Sequence, residues 1–158
     1  ASVSITAGSE RTDRADMAID PNLLALYGAT HYEVDWERGA FVLRIDEPSA
    51  ALANCHRAFG VSCSCFITAW NPRSQPASEA INAAAQERLL EFLCSGSYRT
   101  LRGRGRDPTG RWPAEPSLLV PGMNAVDARR VGQTFDQSAV VVAEADAVPR
   151  LLWIDTGA

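Results

Sequence analysis

The chain has 158 residues, of which 46% are hydrophobic and 22% charged, and its formal net charge is −4. This length and composition are typical of one folded domain rather than of a disordered chain. The acidic balance argues against a surface built for duplex nucleic acid, because such binding relies on neutralising many phosphates. All fifteen basic residues are arginine, which excludes lysine Schiff-base chemistry and the lysine of phosphate-binding loops.

Residues 1–18 mix small polar and charged side chains without periodicity. We predict a flexible segment there, followed by a single α+β domain over residues 19–158. The sequence has no run of about twenty apolar residues for a bilayer and no signal-peptide pattern at its start, so a cytoplasmic location and no membrane partner are expected.

The cysteines and histidines of the sequence predict no metal site. Four cysteines are present, at Cys55, Cys63, Cys65 and Cys94. Their spacing matches no zinc module or disulfide framework, so we expect thiols. The two histidines, His31 and His56, lie away from the polar motifs described below, which disfavours a Ser/His or Cys/His mechanism.

The first predicted elements are a short helix and a hairpin. Asp20 followed by Pro21 is typical of a helix start, and Gly28 is typical of its end. Alternating apolar residues predict two strands over 31–36 and 41–45, joined by a glycine-containing turn.

A second helix is predicted over 49–59, with Gly60 at its end. A strand over 62–70 follows it, and both faces of this strand carry apolar residues. The longest helix then runs to about Cys94. Its expected buried stripe consists of Ile81, Ala85, Leu89 and Phe92.

Strands are predicted over 98–102 and 117–120, separated by a long loop rich in arginine and glycine. A helix capped by Asn124 runs to about Val131, and 139–143 reads as a buried strand, with an edge strand over 151–154. From residue 62 onward this order predicts a mainly antiparallel sheet with helices packed on it, in the ferredoxin-like (split βαβ) topology.

In that topology, segments that are distant in the sequence meet at one edge of the sheet. The motifs at Trp70-Asn71, in the loop before Trp112, at Glu115 and at Gln137 are therefore expected to converge. The start of the longest helix would face the same space and favour an anion there. Arg73 and Arg104 would add planar donors for phosphate or carboxylate.

Five short motifs carry a resemblance to a known family: Thr68-Ala69-Trp70-Asn71-Pro72, Asn82, Asp107-Pro108 with Gly110 and Trp112, Glu115-Pro116-Ser117, and Gln137 before Ala139. In these elements the chain resembles a bacterial family of unknown function, over about residues 66–142. The resemblance implies a shared fold and a role for these positions, and it implies no reaction.

The sequence therefore predicts a ligand site made of Thr68, Trp70, Asn71, Arg73, Asn82, Arg104, Trp112, Glu115, Ser117 and Gln137. The leading hypothesis is a small polar or anionic, nucleotide-like ligand, with Glu115 or Asp107 as the base if the protein is an enzyme. One alternative is a protein-interaction module that uses the same tryptophans and arginines. The other is a metal-dependent hydrolase that uses Asp107 and Glu115. No cofactor is identified by the sequence.

Several of these residues also have plain structural explanations. A tryptophan at a strand end often seals the edge of a core, and Asn-Pro is an ordinary turn starter. A carboxylate such as Glu115 commonly pairs with an arginine. Gln137 could satisfy the backbone at the end of the preceding helix, and the arginine-rich loop could be solvated.

Overall fold

A computed structural model describes residues 20–154, so the flexible segment predicted for residues 1–18 lies outside the described residues. The described elements, in chain order, are α1 (Pro21–Ala29), β1 (His31–Val34), β2 (Phe41–Leu43), α2 (Ala50–Phe59), β3 (Ser64–Ile67), a 3-10 turn (Pro72–Ser74), α3 (Glu79–Ser95), β4 (Leu101–Arg106), β5 (Glu115–Pro121), α4 (Ala125–Thr134), β6 (Ala139–Ala143) and β7 (Arg150–Trp153).

The strands form one seven-stranded sheet in the order β2-β1-β4-β5-β3-β6-β7, and every neighbouring pair is antiparallel. The predicted α+β class and the antiparallel sheet are therefore confirmed. The predicted hairpin is formed by β1 and β2, and β7 occupies an edge of the sheet as expected.

The sheet packs helices on both faces. On one face, Ile67 and Val120 join a core with Leu89 of α3 and Val131 of α4. On the other face, Phe66 and Leu119 pack with Leu52 and Cys55 of α2. The alternation predicted for β3 is confirmed, because Ile67 and Phe66 belong to the two different cores.

The helix starts follow the predicted capping residues. Asp20 accepts a hydrogen bond from the backbone N–H of Asn22, and Asn124 accepts one from that of Asp127. Gly60 ends α2 in the left-handed conformation, with φ of 67°. The first helix runs one residue past Gly28, to Ala29.

The buried stripe predicted for α3 is wrong in part. Ile81 and Phe92 are 59% and 47% exposed, whereas Asn82 and Leu93 are buried beside Ala85 and Leu89. The inward face therefore starts one residue later than hydrophobicity alone predicts. The buried Asn82 is the physical reason, because it bonds to the turn after β3, as described below.

The arginine- and glycine-rich segment predicted as a loop is strand β4, and only residues 107–114 connect it to β5. Small residues are needed on one of its faces. A Cβ atom on Gly103 would lie 2.9 Å from Cε2 of Phe66 and would also collide with the backbone oxygen of Glu33. The alternating arginines consequently lie on the opposite face of the sheet.

Two further features of the fold concern the lengths of the helices and the state of the cysteines. Across residues 20–154, no helix is long and apolar enough to span a lipid bilayer. The four cysteines are free thiols, as expected, and Cys55 and Cys65 are buried. Burial raises the pKa of both of these thiols above the ordinary value.

Candidate functional site

A cavity of about 300 Å³ lies between α1 and the sheet face that also packs against α2. Its roof comes from Leu23, Leu26 and Tyr27 of α1, and Phe66 and Val141 belong to its floor. The volume is at the lower end of the range for ligand sites in proteins. The cavity is therefore large enough for a small molecule.

Seven of the residues predicted for a ligand site line this cavity: Thr68, Trp70, Asn71, Trp112, Glu115, Ser117 and Gln137. The predicted convergence has a direct contact at its centre. The side-chain amide nitrogen of Asn71 donates a hydrogen bond of 2.9 Å to Oε1 of Glu115. The turn after β3 and the start of β5 thus meet at one side of the cavity.

Asn71 is held by a pair of reciprocal bonds with Asn82. Asn82 Oδ1 accepts from the backbone N–H of Asn71 at 2.8 Å, and Asn82 Nδ2 donates to Asn71 Oδ1 at 2.8 Å. The backbone N–H of Ala77 also donates to Asn71 Oδ1, at 3.1 Å. These bonds orient the amide of Asn71 so that its nitrogen faces Glu115. Asn82 supports the cavity and does not line it.

The turn that carries Asn71 is backbone-strained. Asn71, Arg73 and Ser74 have φ angles of 47°, 57° and 59°. Such left-handed conformations cost roughly 1–2 kcal/mol each outside glycine. Contacts with the rest of the chain offset that cost: the backbone N–H of Arg73 donates to Asp136 O at 2.6 Å, and Ser74 Oγ donates to Ser138 Oγ at 2.9 Å. Strain of this kind is concentrated at functional sites.

Among the described residues that line the cavity, Glu115 is the only one with a formally charged side chain. Burial raises the pKa of its carboxyl above the usual range, and the hydrogen bond from Asn71 partly opposes that rise. Oε1 is bonded to Asn71, whereas no other described residue donates to the carboxylate. Within residues 20–154, Oε2 therefore has no donor and can accept a hydrogen bond.

Two tyrosines join α1 to the sheet. Tyr32 Oη donates to the backbone oxygen of Tyr27 at 2.7 Å, and Tyr27 Oη lies 3.2 Å from Ser74 Oγ. Burial raises the pKa of both phenols, so both stay protonated at neutral pH. They fix the roof of the cavity and contribute no charge to it.

The other polar lining residues are engaged with backbone. Thr68 Oγ1 donates to Pro116 O at 2.7 Å and accepts from the backbone N–H of Trp70 at 3.0 Å. Ser117 Oγ donates to Glu115 O at 3.0 Å. Gln137 Nε2 donates to Phe135 O at 3.2 Å and is 3.5 Å from Trp70 O. Their first role is to hold the wall of the cavity in shape.

Trp112 is different, because its indole nitrogen is buried and has no hydrogen-bond partner within residues 20–154. The residue lies in the loop between β4 and β5 and lines the cavity. A buried donor without a partner is uncommon in folded proteins.

Asp107 organises that loop and does not line the cavity. Its Oδ1 accepts from the backbone N–H and hydroxyl of Thr109 at 2.9 and 2.7 Å, and its Oδ2 accepts from the backbone N–H of Arg111 at 2.8 Å. The bonds from Thr109 hold the pKa of this carboxyl below its usual value. In the part of the chain that the structure describes, no group of three or more His, Cys, Asp or Glu side chains is arranged to hold a metal ion.

The two arginines predicted for the site do not line this cavity. Arg104 lies on the opposite face of the sheet, 2.7 Å from Asp35 and 3.8 Å from Glu33. Arg73 is exposed and pairs with Asp136 at 3.9 Å. The start of α3 is also separate, since Ser78 caps it and none of the residues of α3 lines the cavity.

Residues 67–140 match a family described as "Protein of unknown function (DUF3293)". No curated protein and no solved structure shows significant similarity to the chain. The expected resemblance to a family of unknown function is therefore confirmed at that level. The DUF3293 match covers just under half of the 158 residues and runs from the end of β3 into β6.

The DUF3293 segment holds the polar wall of the cavity, from Thr68 to Gln137, whereas α1 and β1 lie outside it. Sequence reasoning missed the roof and one supporting residue. Leu23, Leu26 and Tyr27 recur at helical spacing, and this pattern could have indicated a covering helix. Gln86, whose Oε1 accepts from the backbone N–H of Ala69 at 2.9 Å, lies one helical turn after Asn82.

Proposed function

We propose that this domain binds a small planar ligand, neutral or cationic, that donates a hydrogen bond to Glu115. The observation that supports this most directly is the carboxylate itself. It is partly buried in a cavity of ligand size, with one oxygen fixed by Asn71 and the other available. A ligand donor bonded to a carboxylate in such surroundings gains more than it would in water.

The charge of the lining argues for this class of ligand over an anion. Glu115 supplies a negative charge, and Arg73 and Arg104 are both directed to other carboxylates. A phosphate group would meet a carboxylate without a compensating guanidinium. We therefore propose a ligand that resembles the flat, uncharged or cationic part of a nucleotide, in place of the anionic ligand expected from the sequence.

Aromatic side chains favour a planar ligand. Trp70, Trp112 and Tyr27 all line the cavity, together with Phe66. Aromatic rings offer large apolar faces against which a flat ring stacks, and they also attract cations.

Glu115, with its raised pKa, is also the residue best placed to transfer a proton if the bound ligand reacts.

Calorimetric titration with adenine, adenosine and adenosine monophosphate tests the proposal. We expect the neutral ring compounds to bind and the added phosphate to weaken binding. Glu115→Gln should reduce the affinity about tenfold or more, because it removes a charged acceptor. Glu144→Gln, at an exposed position outside the cavity, is the matched control. Tighter binding of the monophosphate, or unchanged binding to Glu115→Gln, would overturn the proposal.

The positions of Trp112, Arg104 and Asp107 also bear on the two alternative functions, a protein-interaction module and a metal-dependent hydrolase. A single interaction surface made of tryptophan and arginine is weakly supported, since Trp112 and Arg104 lie on different faces of the sheet. A partner protein lost on Trp112→Ala but not on Glu115→Gln would favour it. A hydrolase centre at Asp107 and Glu115 is also weakly supported, because both oxygens of Asp107 accept hydrogen bonds from its own loop.

We further propose that residues 19–158 form one domain and that its core from β3 to β6 is ferredoxin-like. The supporting observations are the element order β3-α3-β4-β5-α4-β6 and the antiparallel sheet order β4-β5-β3-β6.

A further inference from the structure

We infer that the ligand of this cavity is an organic cation, such as an amidinium, a guanidinium or a protonated amino-substituted heterocycle. The inference rests on the proposed function, in which a planar ligand donates a hydrogen bond to Glu115. It decides between the neutral and the cationic forms of that ligand. Three features of the cavity support it: a carboxylate without a counter-charge, side-chain donors that are already engaged, and aromatic side chains in the lining.

The carboxylate of Glu115 has no cationic partner in residues 20–154. Its hydrogen bond comes from the neutral amide of Asn71, and none of the ion pairs of these residues includes it. Burial is the main cause of the raised pKa values of Tyr27 and Tyr32, and the negative charge of Glu115 adds to both. The charge is therefore felt by phenols that line the same cavity, and a bound cation would balance it.

The side-chain donors of the cavity wall are already engaged with the protein. Thr30 Oγ1 donates to the backbone oxygen of Leu26 at 2.7 Å, and Ser74 Oγ donates to Ser138 Oγ at 2.9 Å. The other hydroxyls and amides of the wall have the partners described above. The indole nitrogen of Trp112 is unpaired, but it is closed off from the cavity as well as from solvent. The wall thus offers a ligand an acceptor, at Glu115, more readily than a donor.

Binding a cation removes water from it, and the cavity has two features that offset this cost. Glu115 is partly buried before any ligand binds, so part of the hydration of its carboxylate is already lost on folding, and opposite charges attract more strongly away from bulk water. Tyr27, Trp70 and Phe66 add aromatic rings, whose faces attract cations. A planar cation with N–H donors gains from both features, whereas a neutral ring lacks the attraction between charges.

Benzamidine, benzamide and benzoate form a matched set of probes, since they share a ring and carry a positive, a neutral and a negative substituent. We would measure the dissociation constant of each by NMR titration of the wild type, Glu115→Gln and Glu144→Gln. Glu144 is exposed and lies outside the cavity, so its variant removes the same charge elsewhere. The thermal unfolding midpoint of each variant reports whether it is folded.

We expect benzamidine to bind about tenfold or more tightly than benzamide, because a hydrogen bond between charged groups is roughly twice as strong as a neutral one. Benzoate should bind most weakly. The preference for benzamidine should fall to within about threefold in Glu115→Gln and stay unchanged in Glu144→Gln. The ratio of the two dissociation constants is the readout, because a packing loss that both ligands share cancels in it.

The wild type provides a second measurement if Glu115→Gln does not fold. A cation binds the ionised carboxylate, so benzamidine should release a proton near the folded pKa of Glu115, which burial raises, and its affinity should fall below that pH. Tyr27 and Tyr32 stay protonated in this range. Calorimetry in two buffers of different ionisation enthalpy measures the proton. Benzamidine binding without proton release would overturn the inference.

The outcomes separate the inference from the proposed function. Equal affinities for benzamidine and benzamide, both weakened in Glu115→Gln, would overturn the inference and leave the proposed function standing. A preference for benzamidine that persists in Glu115→Gln would also overturn the inference, because the selecting charge would then lie elsewhere. If no probe binds in a manner that depends on Glu115, both fail.

Discussion

The two helices on one face of the sheet cover it in different ways. Over the half that carries Leu43 and Leu119, α2 inserts Leu52, Cys55 and His56, all of them buried, and the space between helix and sheet is filled. Over the other half, α1 buries none of its residues and leaves a cavity of about 300 Å³. We refer to these as the sealed half and the open half.

The difference shows what keeps the open half from collapsing. There α1 is joined to the rest by directional contacts, such as Tyr27 Oη to Ser74 and the edge-on packing of Tyr27 against Trp153 at 5.6 Å between centroids. The opposite wall of the cavity is the turn at Asn71, which is held by hydrogen bonds to the side-chain amide of Asn82. An apolar interface closes to maximum density, whereas these bonds fix a distance. The four predictions below test this contrast.

The largest effect should come from shortening a leucine in the sealed half. Leu52→Ala removes a fully buried side chain and leaves a void, which typically costs 2–5 kcal/mol of unfolding free energy, so about that loss is expected. Leu23→Ala, in the roof of the open half, should cost under about 1 kcal/mol. Urea unfolding of both variants measures this, and equal losses would abolish the distinction between the halves.

A next test uses the two glycines of β4. Gly103→Ala places a methyl group 2.9 Å from the ring of Phe66 and against the backbone of Glu33, so a loss of roughly 1–3 kcal/mol is expected. Gly105→Ala, in the open half, meets only Thr30 Cγ2 at 3.7 Å, an ordinary contact. Chemical denaturation should therefore show a small change for Gly105→Ala, and a cost as large as that of Gly103→Ala would contradict the stated packing.

Protonation should lower the stability of the fold through His56 in the sealed half and raise it through Glu115 in the open half. Burial lowers the pKa of His56, so the unfolded chain binds that proton more readily and stability falls as the pH drops below about 6.5 toward the folded value. Burial raises the pKa of Glu115, so stability from this group is present below about 4.5 and is lost as the pH rises through the folded value.

Unfolding free energies measured across this pH range for the wild type, His56→Gln and Glu115→Gln separate the two contributions. His56→Gln should lose the decline toward acid that His56 causes. Glu115→Gln should gain stability relative to the wild type as the pH rises. A Glu115→Gln difference that is independent of pH would show that the carboxyl is not perturbed in the fold.

The smallest effect is expected on the opposite face of the sheet. Arg104→Ala removes ion pairs with partly exposed side chains, and such surface pairs usually contribute under about 1 kcal/mol. Calorimetric titration should also show unchanged ligand affinity, because Arg104 does not line the cavity. A large loss of affinity would restore the anion-binding hypothesis that the sequence suggested.

The sequence predicts most elements and the polar wall of the site, because those depend on local signals. Caps such as Asn124 and the alternation of β3 define the elements, and their order brings Asn71 to Glu115. The arginine-rich segment was predicted as a loop because glycine is depleted in strands. In the fold that glycine is required, since Gly103 lies against the ring of Phe66.

The rest of the site depends on contacts that no local pattern encodes. The inward turn of Asn82 follows from its bonds to Asn71, which lies eleven positions earlier. The position of α1 over the cavity follows from Tyr27 meeting Ser74, across a separation of 47 residues. The unpaired nitrogen of Trp112 is visible only when the packing around it is known.

The frame around Glu115 is built from amides. Asn71, Asn82 and Gln86 neither gain nor lose protons over the pH range in which proteins stay folded. Of the three, Asn71 is the one that bonds to the Glu115 carboxyl, which does titrate, so the charge of that carboxyl can change while the amides that hold the wall keep theirs. Ligand affinity followed against pH would then be a direct titration curve of one carboxyl group, free of any accompanying rearrangement of the wall.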